Sequence, residues 1–414
     1  MQTRIKALSI MLTLIMGSPA ALQAAPLLAG QDAPITQLSN APVANAWLEF
    51  DRKALANNIR NLQTELKGQS QICAVMKADA YGAGIDLMMP AILETKVPCV
   101  GVTSNSEAKM VRDHGFKGRL MRLRLATVDE IADALPLNVE EMLGNLEHAQ
   151  QVSKLMQQEN QTLKYHFALN SGGMDRNGME MSTREGKKQA LALSKLPNLK
   201  VVGIMTHYAV EDEKYVRDHL QIFLSQADEL MKSAHIKRED IILHTANSFA
   251  TMMVPEARLD MVRPGQVMYG DTGIPNLKGY QRVFTAFKTK VTAVNPYLKG
   301  STVGYDQTFT LTRDSKLANL PLGYSDGYRR AFSNKAYVLI RGQKAPVLGK
   351  ISMNTVMVDV TDIKGVKSGD EVVLYGKQGD AEVKQDDLQN ILGTLLADSY
   401  TTWAHSNQRK VVNP

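Results

Sequence analysis

The chain is short of cysteine, short of aromatics and without a long apolar run, and each shortage narrows what it can be. Only Cys73 and Cys99 occur in 414 residues. They allow at most one disulfide, the alternative being two buried thiols, and no Cys/His spacing suggests a metal site. Aromatic residues make up 6% of the chain. No dense basic run carries interleaved aromatics, so nucleic acid is not an expected partner. No apolar stretch reaches the ~20 residues of a membrane span. Fifteen prolines and 29 glycines follow no period, which excludes collagen-like and solenoid architectures.

What is present points to a globular enzyme-sized chain. Hydrophobic residues reach 44% and charged residues 22%, enough apolar surface to offset the entropy of ordering. The net charge of +6 is a mild excess that favours solubility. A length beyond roughly 250–300 residues predicts two domains.

The first residues differ from the rest. Arg4 and Lys6 precede an apolar stretch from Ala7 to Met16, Gly17-Ser18-Pro19 breaks it, and Ala20, Ala21, Ala24 and Ala25 follow. This pattern predicts a secretory signal peptide over residues 1–24, hence a periplasmic location and no membrane attachment after its removal. Residues 25–45 read as a tether.

From Ala46 the chain alternates strand and helix. Ala46–Asp51 alternates like a strand and Arg52–Lys67 has helical spacing, with Leu55, Ile59, Leu62 and Leu66 on one stripe. The run Ile72–Met76 is a short apolar strand ending in the charged, Gly-rich segment Lys77–Gly84. Strands are then predicted at Val97–Val102, Arg119–Leu125, Val139–Leu143, Lys164–Leu169, Leu199–Thr206, Ile241–His244 and Asp260–Arg263, with helices between them. About eight such units in roughly 200 residues predict a closed (β/α)8 TIM barrel, an α/β fold, over residues 46–280. Residues 281–414 are alternating and turn-rich, which predicts a mostly-β second domain with one short helix at Gln385–Leu396. The first strand is free to pack with that β domain.

Barrel chemistry sits at the C-terminal ends of strands. Here those ends carry Lys77, Arg176, His207, His244 with Asn247, and Arg263. No end offers a carboxylate pair, which disfavours glycoside hydrolysis and metal-assisted hydrolysis. The basic ends suit an anionic cofactor or substrate.

These residues fall in blocks. Ala74-Val75-Met76-Lys77-Ala78-Asp79-Ala80-Tyr81-Gly82 resembles the pyridoxal-phosphate lysine motif of the alanine racemase family. Met174-Asp175-Arg176-Asn177-Gly178, Met205-Thr206-His207-Tyr208-Ala209, His244-Thr245-Ala246-Asn247-Ser248 and Arg263-Pro264-Gly265-Gln266 follow in family order. So do Val303-Gly304-Tyr305, Leu322-Gly323-Tyr324-Ser325-Asp326-Gly327-Tyr328 and Ile351-Ser352-Met353. The resemblance spans about residues 45–400.

It implies a barrel joined to a β domain, a head-to-tail homodimer with shared sites, the cofactor pyridoxal 5'-phosphate, and free amino acids as substrates. Lys77 would carry the cofactor as a Schiff base and serve one face of the substrate, with Tyr305 of the partner subunit serving the other. A phenol with a reference pKa of ~10 needs support to act as a base, and His207 matches the family's supporting histidine. Arg263 would face the ring nitrogen. Tyr81, Asn247, Ser248, Gly265 and Gln266 would surround the phosphate. Arg176 would hold the cofactor's phenolic oxygen and, with the backbone of Met353 from the other subunit, the substrate carboxylate.

Three departures carry expectations of their own. The strand Phe167-Ala168-Leu169-Asn170 lacks the lysine that many members carry in carbamylated form, so Arg176 has to be positioned by something else, such as a bound anion. The family's Cys-Met-Asp reads Ser352-Met353-Asn354. The family's entrance tyrosine aligns with Ala397, and Tyr400 lies three residues on. A wider entrance admits larger and cationic side chains, since one methylene is worth only ~1–3 kcal/mol in a pocket. The expected activity is therefore broad-specificity amino-acid racemisation. Alternatives are an exported alanine-only racemase, a decarboxylase, which Arg263 disfavours, and a non-catalytic cofactor-binding regulator, which would usually lack the second domain.

Overall fold

The computed structural model describes residues 43–414 apart from 272, 275 and 276. The expected signal peptide and most of the 25–45 tether lie outside these residues.

The strand β1 (Ala46–Asp51) leads into a helix, Arg52–Leu66, because Asp51 caps it: its carboxylate accepts the Ala54 N–H at 2.8 Å. The stripe of Leu55, Ile59, Leu62 and Leu66 is buried. The barrel follows, built from β2 (Gln71–Val75), β3 (Cys99–Val102), β4 (Arg119–Arg122), β5 (Val139–Leu143), β6 (Leu163–Ala168), β7 (Leu199–Met205), β8 (Ile242–His244) and β9 (Met261–Val262). They form one sheet in the order β8-β7-β6-β5-β4-β3-β2-β9, and its ladders are parallel. At the seam Asp260 N–H donates to the Leu243 carbonyl at 3.1 Å and Arg263 N–H to that of Ala246 at 2.9 Å, which nearly closes the cylinder. Cys73 and Cys99 are register partners on β2 and β3, and their sulfurs are joined as a disulfide.

Parallel strands covered on both sides usually read as apolar runs. The strand β5 departs from this, because Glu140 and Glu141 are buried along with their apolar neighbours. Glu141 is ion-paired to the buried Arg122 at 2.8 Å, and Glu140 to Arg119 at 2.7 Å. The crossover helices Asn105–Asp113 and Val128–Ala134 start in reciprocal capping boxes, Ser104 with Glu107 and Thr127 with Glu130.

The second part is β-rich: β10 (Phe284–Lys290), β11 (Ala293–Tyr297), β12 (Thr302–Val303), β13 (Phe309–Thr310), β14 (Ser315–Leu320), β15 (Tyr337–Ile340), β16 (Gln343–Leu348), β17 (Val356–Asp359), β18 (Glu371–Gln378), β19 (Ala381–Val383) and β20 (Gln408–Val412). The strand β1 belongs to this sheet, antiparallel to β10 and parallel to β20. The single C-terminal helix expected at Gln385–Leu396 is two, Gln385–Leu392 and Leu396–Ser406. Gly393 separates them: its left-handed backbone closes the first helix by donating to the Gln389 carbonyl at 2.8 Å. The second helix buries Trp403 against Phe284 and Phe287, which binds it to the sheet.

Candidate active site

A cavity of about 390 Å³ opens at the C-terminal ends of the barrel strands, within the range of small-molecule sites. Lys77, Tyr81, Arg176 and His207 line it, as do Asn247, Ser248, Arg263, Gly265 and Gln266.

Lys77 follows β2 after a single residue, Met76. The next four residues, Ala78 to Tyr81, all adopt left-handed backbone with φ between 52° and 55°. Read as a charged, Gly-rich segment, this stretch is instead a left-handed turn. Such a conformation costs about 1–2 kcal/mol per non-glycine residue, so its surroundings have to impose it. Glu107 does part of this: its carboxylate accepts the N–H groups of Asp79 (3.0 Å), Thr103 (2.7 Å) and Ser104 (3.1 Å). Asp79 accepts the Ile85 N–H at 2.8 Å and is ion-paired to Arg409 on β20. The turn that carries Lys77 is thus clamped by a crossover helix on one side and the last strand on the other. Burial by the pocket walls lowers the Lys77 pKa, the nearby Arg176 cation adds to this, and Glu107 opposes it.

Tyr81 stacks on Tyr269 at 4.6 Å, and burial pushes its phenol pKa up, so it stays protonated. Its oxygen lies 2.1 Å from where a β-carbon on Gly265 would stand, so only glycine allows this approach. The Ser248 hydroxyl accepts the N–H groups of Gly265 (3.1 Å) and Val267 (3.2 Å). Asn247 spends its side-chain oxygen on the Ala250 N–H as a helix cap.

Arg263 is 5% exposed and has no carboxylate partner among the described residues. It donates to the Thr206 carbonyl at 2.8 Å and to His244 Nδ1 at 2.5 Å, and His207 Nδ1 lies 3.5 Å away. Burial brings its pKa down to about 10, which leaves it charged at neutral pH. Burial, reinforced by the charges of Arg263, Arg176 and Lys77, pushes His207 down to about 3, so its ring is neutral.

Arg176 is exposed at the tip of a loop that folds back on β6. The loop is closed by the Leu169–Met179 bridge and by Asn170, whose amide donates to Asp175 (2.6 Å) and Glu180 (2.8 Å). No Asp or Glu forms an ion pair with Arg176 among the described residues. The place of the absent lysine is apolar, lined by Ala168, Met142 and Met205.

Tyr305 and Met353 do not line this cavity. Both stand out from the β domain, 67% and 55% exposed. Tyr305 sits in a turn whose neighbours Gly304, Asp306 and Gln307 have positive φ; it is bridged to Lys350, and Asp306 is ion-paired to that lysine. At the entrance, Ala397 and Thr401 line the cavity. Tyr400 does not replace the missing phenol: it is 4% exposed and donates to Asp271 at 2.7 Å. Glu211 is the single acidic residue on the cavity wall among the described residues.

Glu107, Asp79 with Arg409, and Glu211 escaped sequence reasoning. The capping spacing Ser104-x-x-Glu107 was a usable signal for the first. Arg409 has none, because its partner lies 330 residues away.

The donor set fits pyridoxal phosphate: a lysine with depressed pKa, a buried arginine cation, and a cradle at Gly265 that a β-carbon would fill. Comparison with known proteins agrees. The family models for the alanine racemase N-terminal and C-terminal domains match residues 50–273 and 284–411. A broad specificity amino-acid racemase of Pseudomonas taetrolens is 55% identical over 370 residues, covering 89% of this chain and 90% of that protein. A lysine racemase of Proteus mirabilis is 48% identical over 379 residues, with 92% of each covered. The crystal structure of the alanine racemase from Bacillus anthracis with bound L-Ala-P is 26% identical and superposes with a TM-score of 0.82, covering 90% of this chain and 96% of that one.

Proposed function

This chain belongs to the alanine racemase family, a family of isomerases, and from that premise we propose that it is an exported racemase of free amino acids with broad side-chain range, dependent on pyridoxal 5'-phosphate and acting as a homodimer with shared sites. The observation that carries this reading is the convergence of Lys77, Arg176, His207 and Arg263 on one cavity, while Tyr305 stands exposed on the β domain. A second copy completes such a site by bringing its own phenol to it.

When bound, the cofactor acidifies the α-hydrogen of an amino acid by drawing electron density into its ring. Lys77 would hold the cofactor, with Tyr81, Ser248, Gly265 and Gln266 around its phosphate and Arg263 at its ring nitrogen. The lowered pKa of Lys77 enlarges the fraction of neutral amine able to accept a proton. It removes or returns the α-proton on one face, and the partner subunit's Tyr305 does the reverse on the other. Neutral His207, held beside the Arg263 cation, supports that phenol. Arg176 binds the substrate carboxylate, an orientation that sets both faces of the stereocentre against their bases.

Breadth follows from the entrance. Ala397 stands where a ring would narrow it, and Glu211 offers a carboxylate to a cationic side chain. Export follows from the N-terminal pattern of Arg4, Lys6 and the apolar stretch after them. Chiral chromatography with a panel of free amino acids tests the range. Lysine, arginine, methionine and alanine should all be racemised, and Glu211→Gln should raise KM for the two cations by up to about fivefold and leave methionine unchanged. Turnover of alanine alone would overturn the range, and no turnover at all would overturn the function.

A further inference from the structure

Arg263 carries a charge in a nearly buried place without a carboxylate at hand. Its hydrogen bonds nevertheless lead to one. Arg263 Nη1 meets His244 Nδ1 at 2.5 Å, His244 Nε2 meets His166 Nδ1 at 2.8 Å, and His166 Nε2 meets Glu140 Oε2 at 3.0 Å. Glu140 is ion-paired to Arg119 at 2.7 Å. The chain runs from the cofactor cavity through the barrel to a depression at the N-terminal ends of the strands, lined by Arg119, Glu140, Lys164 and Lys200.

The direction of every proton in this chain is forced. An arginine only donates and an ionised carboxylate only accepts. His244 Nδ1 must therefore accept, which puts its proton on Nε2. His166 Nδ1 must accept in turn, and its Nε2 proton goes to Glu140. Both rings are neutral in the same tautomer. Full burial of both, with Arg263 charged nearby, lowers their pKa values and favours this state. Burial would raise the Glu140 carboxyl, but the His166 bond and the charges of Arg119 and Lys164 outweigh it and hold it ionised.

The backbone makes room for the chain. Gly203 on β7 lies between His166 and β8 in the register, and a β-carbon there would stand 2.3 Å from His166 Nδ1. Its φ is not in the left-handed region, so the glycine answers to space and not to backbone strain.

We propose that Glu140 is a positioning residue for Arg263, setting the proton direction of the Arg263–His244–His166 chain and supplying its remote counter-charge from the far end of the barrel. The consequence at the cofactor rests on placing Arg263 at the ring nitrogen; the proton direction does not.

Two measurements test it. Nitrogen-15 NMR of histidine-labelled protein, with and without pyridoxal phosphate, should show His166 and His244 neutral with the proton on Nε2. A charged ring or an Nδ1 proton overturns the proposal. In protein loaded with pyridoxal phosphate, Glu140→Gln should shift the pH midpoint of the cofactor's absorbance change by about one unit and lower kcat about tenfold with KM little changed. Gly203→Ala should do the same, and the double variant should be no worse than the larger single effect. Unchanged spectra, or losses that multiply independently, overturn it. A wild-type protein that takes up no cofactor counts against the proposed function, and it would be seen before any variant is compared.

Discussion

Lys77 and Tyr305 stand on opposite kinds of ground. Lys77 is set on a left-handed turn of four non-glycine residues, tied by Glu107 and by the Asp79–Arg409 ion pair, at the wall of a cavity. Tyr305 is 67% exposed in a short turn held to Lys350 and does not line that cavity in its own chain. The proposed lysine base is enclosed, shifted in pKa and followed by a strained turn, and the proposed tyrosine base is exposed. On the proposed function, the contrast means that one chain builds the cofactor site but only half of the acid–base pair. Strain of this kind persists only where the surroundings over-determine it; the turn after Tyr305 also holds Asp306 and Gln307 at positive φ, but only the turn after Lys77 stands at the cavity wall.

The widest separation between the two comes from removing each functional group. Lys77→Ala should abolish both cofactor retention and racemisation. Tyr305→Phe should keep the cofactor and its absorbance while lowering kcat by about 10²–10⁴ in both directions, followed by absorbance and chiral chromatography. Equal loss of cofactor in both variants would erase the contrast.

A smaller effect sharpens the account of the turn. Glu107→Gln keeps the volume but weakens a buried acceptor of three backbone N–H groups, which should cost about 1–3 kcal/mol in denaturant unfolding. Tyr305→Phe, on exposed ground, should leave that stability unchanged.

The smallest concerns charge around the lysine. Burying Lys77 with a depressed pKa penalises its charged form, so folded-state stability is greatest above the ordinary lysine value of 10.5 and falls as pH drops from there through the folded pKa, the window in which the unfolded chain binds the extra proton. Uptake of pyridoxal phosphate by cofactor-free protein needs the neutral amine, so its rate should rise with pH to a midpoint below the ordinary lysine value of 10.5. Arg176→Ala removes a cation and should move that midpoint upward, read by stopped-flow absorbance. A downward move would contradict the assigned cause.

The barrel was readable because strand and helix alternate at regular intervals, and most site residues because they close those strands. The left-handed turn was not. Ala78, Ala80 and Tyr81 have no leaning towards positive φ, and the groups that impose it come from Glu107 and, much further on, Arg409. Val139–Leu143 reads as a weak strand because two carboxylates interrupt it, yet both are buried with basic partners that no local pattern reveals. The strand Gln408–Val412 and the break at Gly393 went unread for a similar reason, since both depend on packing against the distant N-terminal strand and on Trp403 meeting β10.

The central claim is that each site draws its two bases from two chains. Co-expression of Lys77→Ala with Tyr305→Phe tests it most directly, since each homodimer lacks one base in both sites. Random pairing makes half of the dimers mixed, and each mixed dimer holds one intact site, so the mixture should regain about a quarter of wild-type racemase activity. Activity no higher than the mean of the two parent variants would show that both bases come from the same chain.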